Sequence, residues 1–200
     1  KVRELLERRL KQMHDNGDRL DVITFSGNGE PTLHPDFAGV VDDVLRLRDR
    51  YFTAAKVSVL ANSTQLHRPD VCDALRRVDN NILKLDSAVE STMHALDRPA
   101  SPAFTVEKVI PQLAECPHNA IIQTMFTRGS HDGVAVDNTT PAEVDALIDA
   151  YRRINPREIM VYSIDRRTPE QSLQKIPADE LRAIADRITR ETSIPVQLTL

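Results

Sequence analysis

The chain has 200 residues, 40% hydrophobic and 28% charged, with a formal net charge of −4. That composition supplies a sizeable core without metal or disulfide support and gives no overall attraction for nucleic acid or an anionic membrane. No apolar stretch approaches the roughly 20 residues of a membrane span, no signal-peptide pattern opens the chain, and aromatic residues make up only 4%, without tryptophan, leaving few stacking platforms for single-stranded nucleic acid.

Helical and strand patterns alternate with little interruption, as in βα units around a parallel sheet. Val2, Leu5, Leu6, Leu10 and Met13 share one helical face before Asn16-Gly17 stops it. Residues 21–25 read as a strand. Directly behind it, Ser26-Gly27-Asn28-Gly29-Glu30-Pro31 places a glycine-rich turn and one carboxylate at a strand's C-terminal end, where α/β folds bind ligands. Pro35 and Asp36 open a helix carrying Phe37, Val40, Val41, Val44 and Leu47, and residues 56–61 read as the next strand.

Asn62-Ser63-Thr64 then makes a polar turn, and Pro69 starts a helix with Val71, Cys72, Leu75 and Val78. Residues 81–86 form a strand, residues 87–102 a long loop containing Asp97-Arg98, and Thr105 caps a helix with Val106, Val109, Ile110 and Leu113. Residues 119–126 are another strand. Thr140 and Glu143 form a capping box, with Pro141 in the first turn and Val144, Leu147, Ile148, Tyr151 and Ile154 facing inward. Residues 157–163 give a strand, 177–190 a last helix and 196–200 a terminal strand. These six strands, taken as one unit over residues 1–200, fit a partial barrel with its loops on one rim, and equally a doubly wound open sheet.

The candidate site residues admit two readings each. Glu30 is an acceptor fixed by Pro31 and suited to an ammonium group, or part of a tight turn. Asn62 closes an Asx-turn or points at the ligand rim. Lys84 and Asp86 alternate with Leu83 and Leu85, so both face the interior, as a structural ion pair or as ligand contacts. Gln123, beside Thr124, is a donor to a ligand or a satisfied core amide, and Tyr162 stacks on a base or fills the core. Arg128, Arg166 and Arg167 follow strands and suit a carboxylate or phosphate, or are surface cations, while His34 receives no role. The six histidines never pair at metal-binding spacing, and no Gly-x-Ser-x-Gly elbow or Walker loop occurs. Cys72 and Cys116, 44 positions apart, read as thiols of a reducing, cytoplasmic compartment.

The run Thr24-Phe25-Ser26-Gly27-Asn28-Gly29-Glu30-Pro31-Thr32-Leu33-His34-Pro35 resembles the second-strand segment of radical S-adenosylmethionine (radical SAM) enzymes, and in particular their Fe–S oxidoreductase branch related to wyosine-base-forming proteins. Asn62, Lys84-Leu85-Asp86 and Asp165-Arg166 extend the match less specifically. The resemblance implies a partial (β/α)6 TIM-like barrel in which Gly27, Asn28, Gly29, Glu30 and Pro31 bind the methionine amino group of S-adenosylmethionine. It further implies Asn62, Asp86, Gln123 and Tyr162 as other cofactor contacts. A [4Fe–4S] cluster, an electron donor such as flavodoxin or ferredoxin, and a small-molecule, protein or tRNA substrate are implied for the intact enzyme, which forms a 5′-deoxyadenosyl radical. The family's Cys-x3-Cys-x2-Cys signature is not in these residues, and Lys1-Val2-Arg3 is already helical in pattern. The expectation is therefore an inactive fragment cut before or within its first βα unit, with no metal ligands of its own. The alternative is a non-catalytic α/β module that binds a small molecule.

Overall fold

A computed structural model describes residues 1–26, 29–116, 119–165 and 172–200, with the backbone alone for His131. Gly27, Asn28, Arg166 and Arg167, all named above, lie outside the described residues. The elements are α1 (Val2–Asp15), β1 (Val22–Phe25), a 3-10 turn (Pro31–Leu33), α2 (Phe37–Tyr51), β2 (Lys56–Ala61), α3 (Pro69–Leu75), β3 (Asn80–Lys84) and α4 (Glu90–Asp97). There follow α5 (Val106–Glu115), β4 (Ala120–His131), β5 (Val134–Asp137), α6 (Pro141–Ile154), β6 (Glu158–Ser163), β7 (Gln174–Lys175), α7 (Ala178–Thr192) and β8 (Val196–Leu198).

Strands β1, β2, β3, β4, β6 and β8 pair in that order, each parallel to the next. The order advances without the reversal that marks a doubly wound sheet, so the expected partial barrel is the architecture found. Alternation along the strands divides two faces. Val57, Val59, Leu83, Ile122, Phe126, Ile159 and Val161 are fully buried and join one contiguous core with Phe37 and Val41 of α2, Leu113 of α5, Leu147 of α6 and Leu181 of α7. Each such side chain contributes about 1.5–3 kcal/mol by leaving water. On the opposite face Leu60, Ile82, Met125 and Met160 are half-buried.

Local signals account for several boundaries. Asp36 Oδ1 accepts the Gly39 N–H at 3.2 Å to start α2, and Thr140 Oγ1 accepts the Glu143 N–H at 3.3 Å to start α6. The capping box is only half made, because Glu143 Oε2 turns inward to accept the Ser87 hydroxyl at 2.6 Å. Thr105 stands at the N-cap of α5 without a side-chain cap; Glu90 Oε2 accepts the Val106 N–H there at 2.7 Å.

Two expectations need correction. The stretch expected as a loop from 87 to 102 contains helix α4, and two further strands, β5 and β7, pair antiparallel with an extended β4. The β4–β5 hairpin turns at Asp132-Gly133, both at positive φ (48° and 78°), the conformation that an Asp-Gly pair adopts most easily. The cysteines are corrected as well: Cys72 of α3 and Cys116 after α5 form a disulfide with Cα atoms 5.3 Å apart. Their reading as separate thiols, and the compartment argument built on it, falls away. No helix among the described residues is long and apolar enough to cross a membrane.

Candidate functional site

The six parallel strands run in one direction, and the register sets residues of neighbouring strands side by side toward their C-terminal ends. Ala61 pairs with Leu83, and Lys84 with Gln123, which in turn pairs with Met160; Met125 pairs with Tyr162. Asn62, Lys84, Gln123 and Tyr162 therefore occupy neighbouring strands on one side of the sheet, above the half-buried Leu60, Ile82 and Met160.

Glu30 precedes the 3-10 turn and acts as its N-cap. Its Oε1 accepts the Thr32 N–H at 3.0 Å and the Thr32 hydroxyl at 2.5 Å, while Oε2 accepts the backbone N–H of Asn62 at 2.6 Å. A carboxylate offers about four lone-pair positions, so these three donors leave capacity for one more. Thr32, itself 1% exposed, is fixed in turn by Arg68, whose Nη1 donates to the Thr32 carbonyl at 3.1 Å while Nη2 pairs with Asp70 at 2.6 Å. Asn62 closes the Asx-turn foreseen for it: Oδ1 accepts the Thr64 N–H at 3.1 Å and the Thr64 hydroxyl at 2.7 Å. The half-buried carboxylate thus clamps the loop after β1 to the tip of β2.

The next cluster is ionic. Lys84 Nζ lies 2.9 Å from Asp86 Oδ2 and 2.7 Å from Asp97 Oδ1, and Asp86 Oδ1 accepts the Met125 N–H at 2.9 Å. The pairing of Lys84 with Asp86 is the structural reading; Asp97 on α4 is the partner that a loop assignment hid. One ammonium between two carboxylates leaves the cluster one negative charge in excess. Burial, followed by repulsion from Asp97, pushes the Asp86 carboxyl up to about 6 against the pull of Lys84, while the two carboxylates raise Lys84 above its ordinary value despite its burial. Burial, reinforced by Asp86, pushes the Tyr162 phenol up to about 12, so it stays a neutral donor. Asp86 is fully buried, and reaches a ligand only through Lys84.

Other candidates have local employment. Thr124 donates to or accepts from the Tyr151 hydroxyl at 2.6 Å beneath the helices, Arg128 meets the Thr139 hydroxyl at 2.8 Å and pairs with Glu180, and His34 Nδ1 accepts the Asp36 N–H at 3.1 Å. Gly29 and Pro31 flank Glu30 as expected. Beside Asn62 and Lys84 opens a cavity of about 750 Å³, with Asp97, Arg98, Phe104 and Lys108 among its lining residues. Sequence reasoning passed over Thr32, Arg68, Phe104 and Lys108; only Thr32, two positions after an acidic residue, carries a local signal.

The fold is that of the radical SAM partial barrel. It matches SuiB from Streptococcus suis, solved with S-adenosylmethionine bound, at a TM-score of 0.68 and 16% identity over 100% of this chain and 44% of that one. It matches TYW1 with a lysine-pyruvate adduct bound at 0.60 and 16% (94% and 59% of the chains). Coproporphyrinogen III oxidase from Escherichia coli, described as a radical SAM enzyme, matches at 0.60 and 14% (94% and 44%). In sequence, the chain is 21% identical to a GTPase Obg of Brachyspira hyodysenteriae over 94% of its own length and 26% of that protein's. It is 22% identical to a UPF0026 protein of Helicobacter pylori strain J99 over 81% of its own length and 49% of the relative's. The chain thus spans half or less of the curated relatives. It contains no Walker loop. No protein-family model matches the chain.

Proposed function

We propose that this chain is the S-adenosylmethionine-binding core of a radical SAM enzyme. The observation that carries the reading is the Glu30 carboxylate, held at the β1 tip by three donors with acceptor capacity for one more, in a fold shared with enzymes of that kind. Glu30 holds the cofactor's ammonium group, with Gly29 and Pro31 beside it in sequence. Asn62, Gln123 and Tyr162 hold the rest from the same rim, Tyr162 as a neutral phenol, and Asp86 orients Lys84. When bound, S-adenosylmethionine supplies the 5′-deoxyadenosyl group for radical chemistry; the residues here bind it, orient it and shield it from water.

A [4Fe–4S] cluster does not fit the described residues. Both cysteines are joined in a disulfide where α3 and α5 lead into the N-terminal ends of β3 and β4, the side of the sheet away from the rim. Among the described residues no group of three His, Cys, Asp or Glu is placed to hold a metal ion. In the enzyme reading the cluster and its electron donor, flavodoxin or ferredoxin, belong to the intact protein. The second reading is a non-catalytic module that binds a small molecule at the same rim. The deciding experiment is anaerobic reconstitution of the intact protein with iron and sulfide, followed by assay for 5′-deoxyadenosine. Product supports the enzyme, and saturable S-adenosylmethionine binding without product supports the module.

A further inference from the structure

The 750 Å³ cavity has the size of a small-molecule pocket, roughly 300–1,000 Å³. Its walls differ in chemistry. Leu33, 59% exposed, and the half-buried Phe104 line it with apolar surface, an arrangement that leaves a large aliphatic side chain in water unless something covers it. Arg98 and Lys108 line it with charge.

Among the described lining residues Asp97 is the one carboxylate, and it is paired at 2.7 Å with Lys84, which it shares with the buried Asp86. Lys108 Nζ meets a neutral acceptor, the Ala103 carbonyl at 3.2 Å. Arg98 pairs with Asp132 through Nη1 and remains 58% exposed; a guanidinium has five N–H donors, so others remain for a ligand. Arg98 holds φ +44° as the residue that ends α4. Among the described residues the cavity therefore presents an apolar wall and the two cations Arg98 and Lys108, against the single carboxylate of Asp97, which is already paired with Lys84.

We propose that this cavity binds an organic anion with an apolar body, its carboxylate, phosphate or sulfonate group at Lys108 and Arg98 and its body against Leu33 and Phe104. Binding follows from the lining alone. Calling the ligand the substrate of the radical SAM core, and that substrate an acid, rests on the function proposed above.

Two fluorescent probes of matching shape test it: 8-anilinonaphthalene-1-sulfonate, an anion, and N-phenyl-1-naphthylamine, which is neutral. The wild-type chain is expected to bind the anion saturably and about tenfold more tightly than the neutral probe, the increment of one charge-assisted contact. Lys108→Glu weakens the anion by about tenfold or more and leaves the neutral probe nearly unchanged. Lys108→Gln falls between, and Phe104→Ala weakens both probes. Displacement of the anion by inorganic phosphate but not acetate, or the reverse, identifies the head group. Equal affinity for the two probes, or anion binding unaffected by Lys108→Glu in a variant with unchanged circular dichroism, overturns the proposal. Glu30→Gln, measured for S-adenosylmethionine by equilibrium dialysis, separates the two readings. Retained probe binding with lost cofactor binding is expected; a Glu30→Gln chain that still holds the cofactor removes the substrate assignment and leaves the cavity intact.

Discussion

Glu30 Oε2 accepts the backbone N–H of Asn62 at 2.6 Å, across 32 positions of chain, so one side chain both ties two strand tips together and forms the proposed cofactor anchor. Its replacement acts twice. Glu30→Ala leaves the Asn62 and Thr32 donors without their acceptor and is expected to destabilise the fold by about 1–3 kcal/mol in urea unfolding. Glu30→Gln keeps one carbonyl acceptor and loses less stability, while the charge that an ammonium group needs is gone in both.

Thr32 supports that anchor from beneath. Thr32→Val removes the hydroxyl 2.5 Å from Glu30 Oε1 but keeps the N–H bond, and is expected to cost about 1 kcal/mol and to weaken S-adenosylmethionine binding several-fold. Thr32→Ser restores both. Equal binding by valine and serine variants, measured by equilibrium dialysis, rules out the positioning role.

The Asp86 carboxyl, raised to about 6 from an ordinary 3.8, makes stability depend on pH. A folded-state value above the unfolded one means that the native state holds the proton more tightly, so this group's contribution is fully present below about pH 4 and lost as the pH rises through about 6. Lys84, Asp97 and Tyr162 face it, and the raised values of Lys84 and Tyr162 keep those two from changing charge in that window. Urea unfolding of the wild-type chain relative to Asp86→Asn is expected to fall between pH 4 and 6 and to level off above. A flat difference contradicts the burial account.

The Cys72–Cys116 bridge closes a loop of 44 residues in sequence separation. By the chain-entropy model such a crosslink stabilises by about 4 kcal/mol, commonly less in practice. Reduction, or Cys72→Ser, is expected to lower the urea midpoint clearly with little change in circular dichroism before unfolding.

Six parallel strands and their rim were legible because alternating apolar runs, Pro and Asp helix starts and the Gly29-Glu30-Pro31 turn are local signals. Helix α4 was not: Val89 at its N-cap offers no side-chain acceptor, and Pro99 and Pro102 beyond it read as loop. The β4–β5 hairpin announced itself in Asp132-Gly133, within a stretch given no assignment. What no local pattern carries is juxtaposition. Asn62 reaches Glu30 through its backbone N–H, a donor that nearly every residue has, and Asp97 joins Lys84 only once α4 is folded against β3. The disulfide likewise depends on how α3 and α5 flank one strand.

Equilibrium dialysis of labelled S-adenosylmethionine against the wild-type chain and Glu30→Gln tests the central claim most directly. The account predicts saturable binding to the wild type, weakened by about tenfold or more in Glu30→Gln while that chain remains folded by circular dichroism. No saturable binding to the folded wild-type chain, or equal affinity for the two, contradicts it.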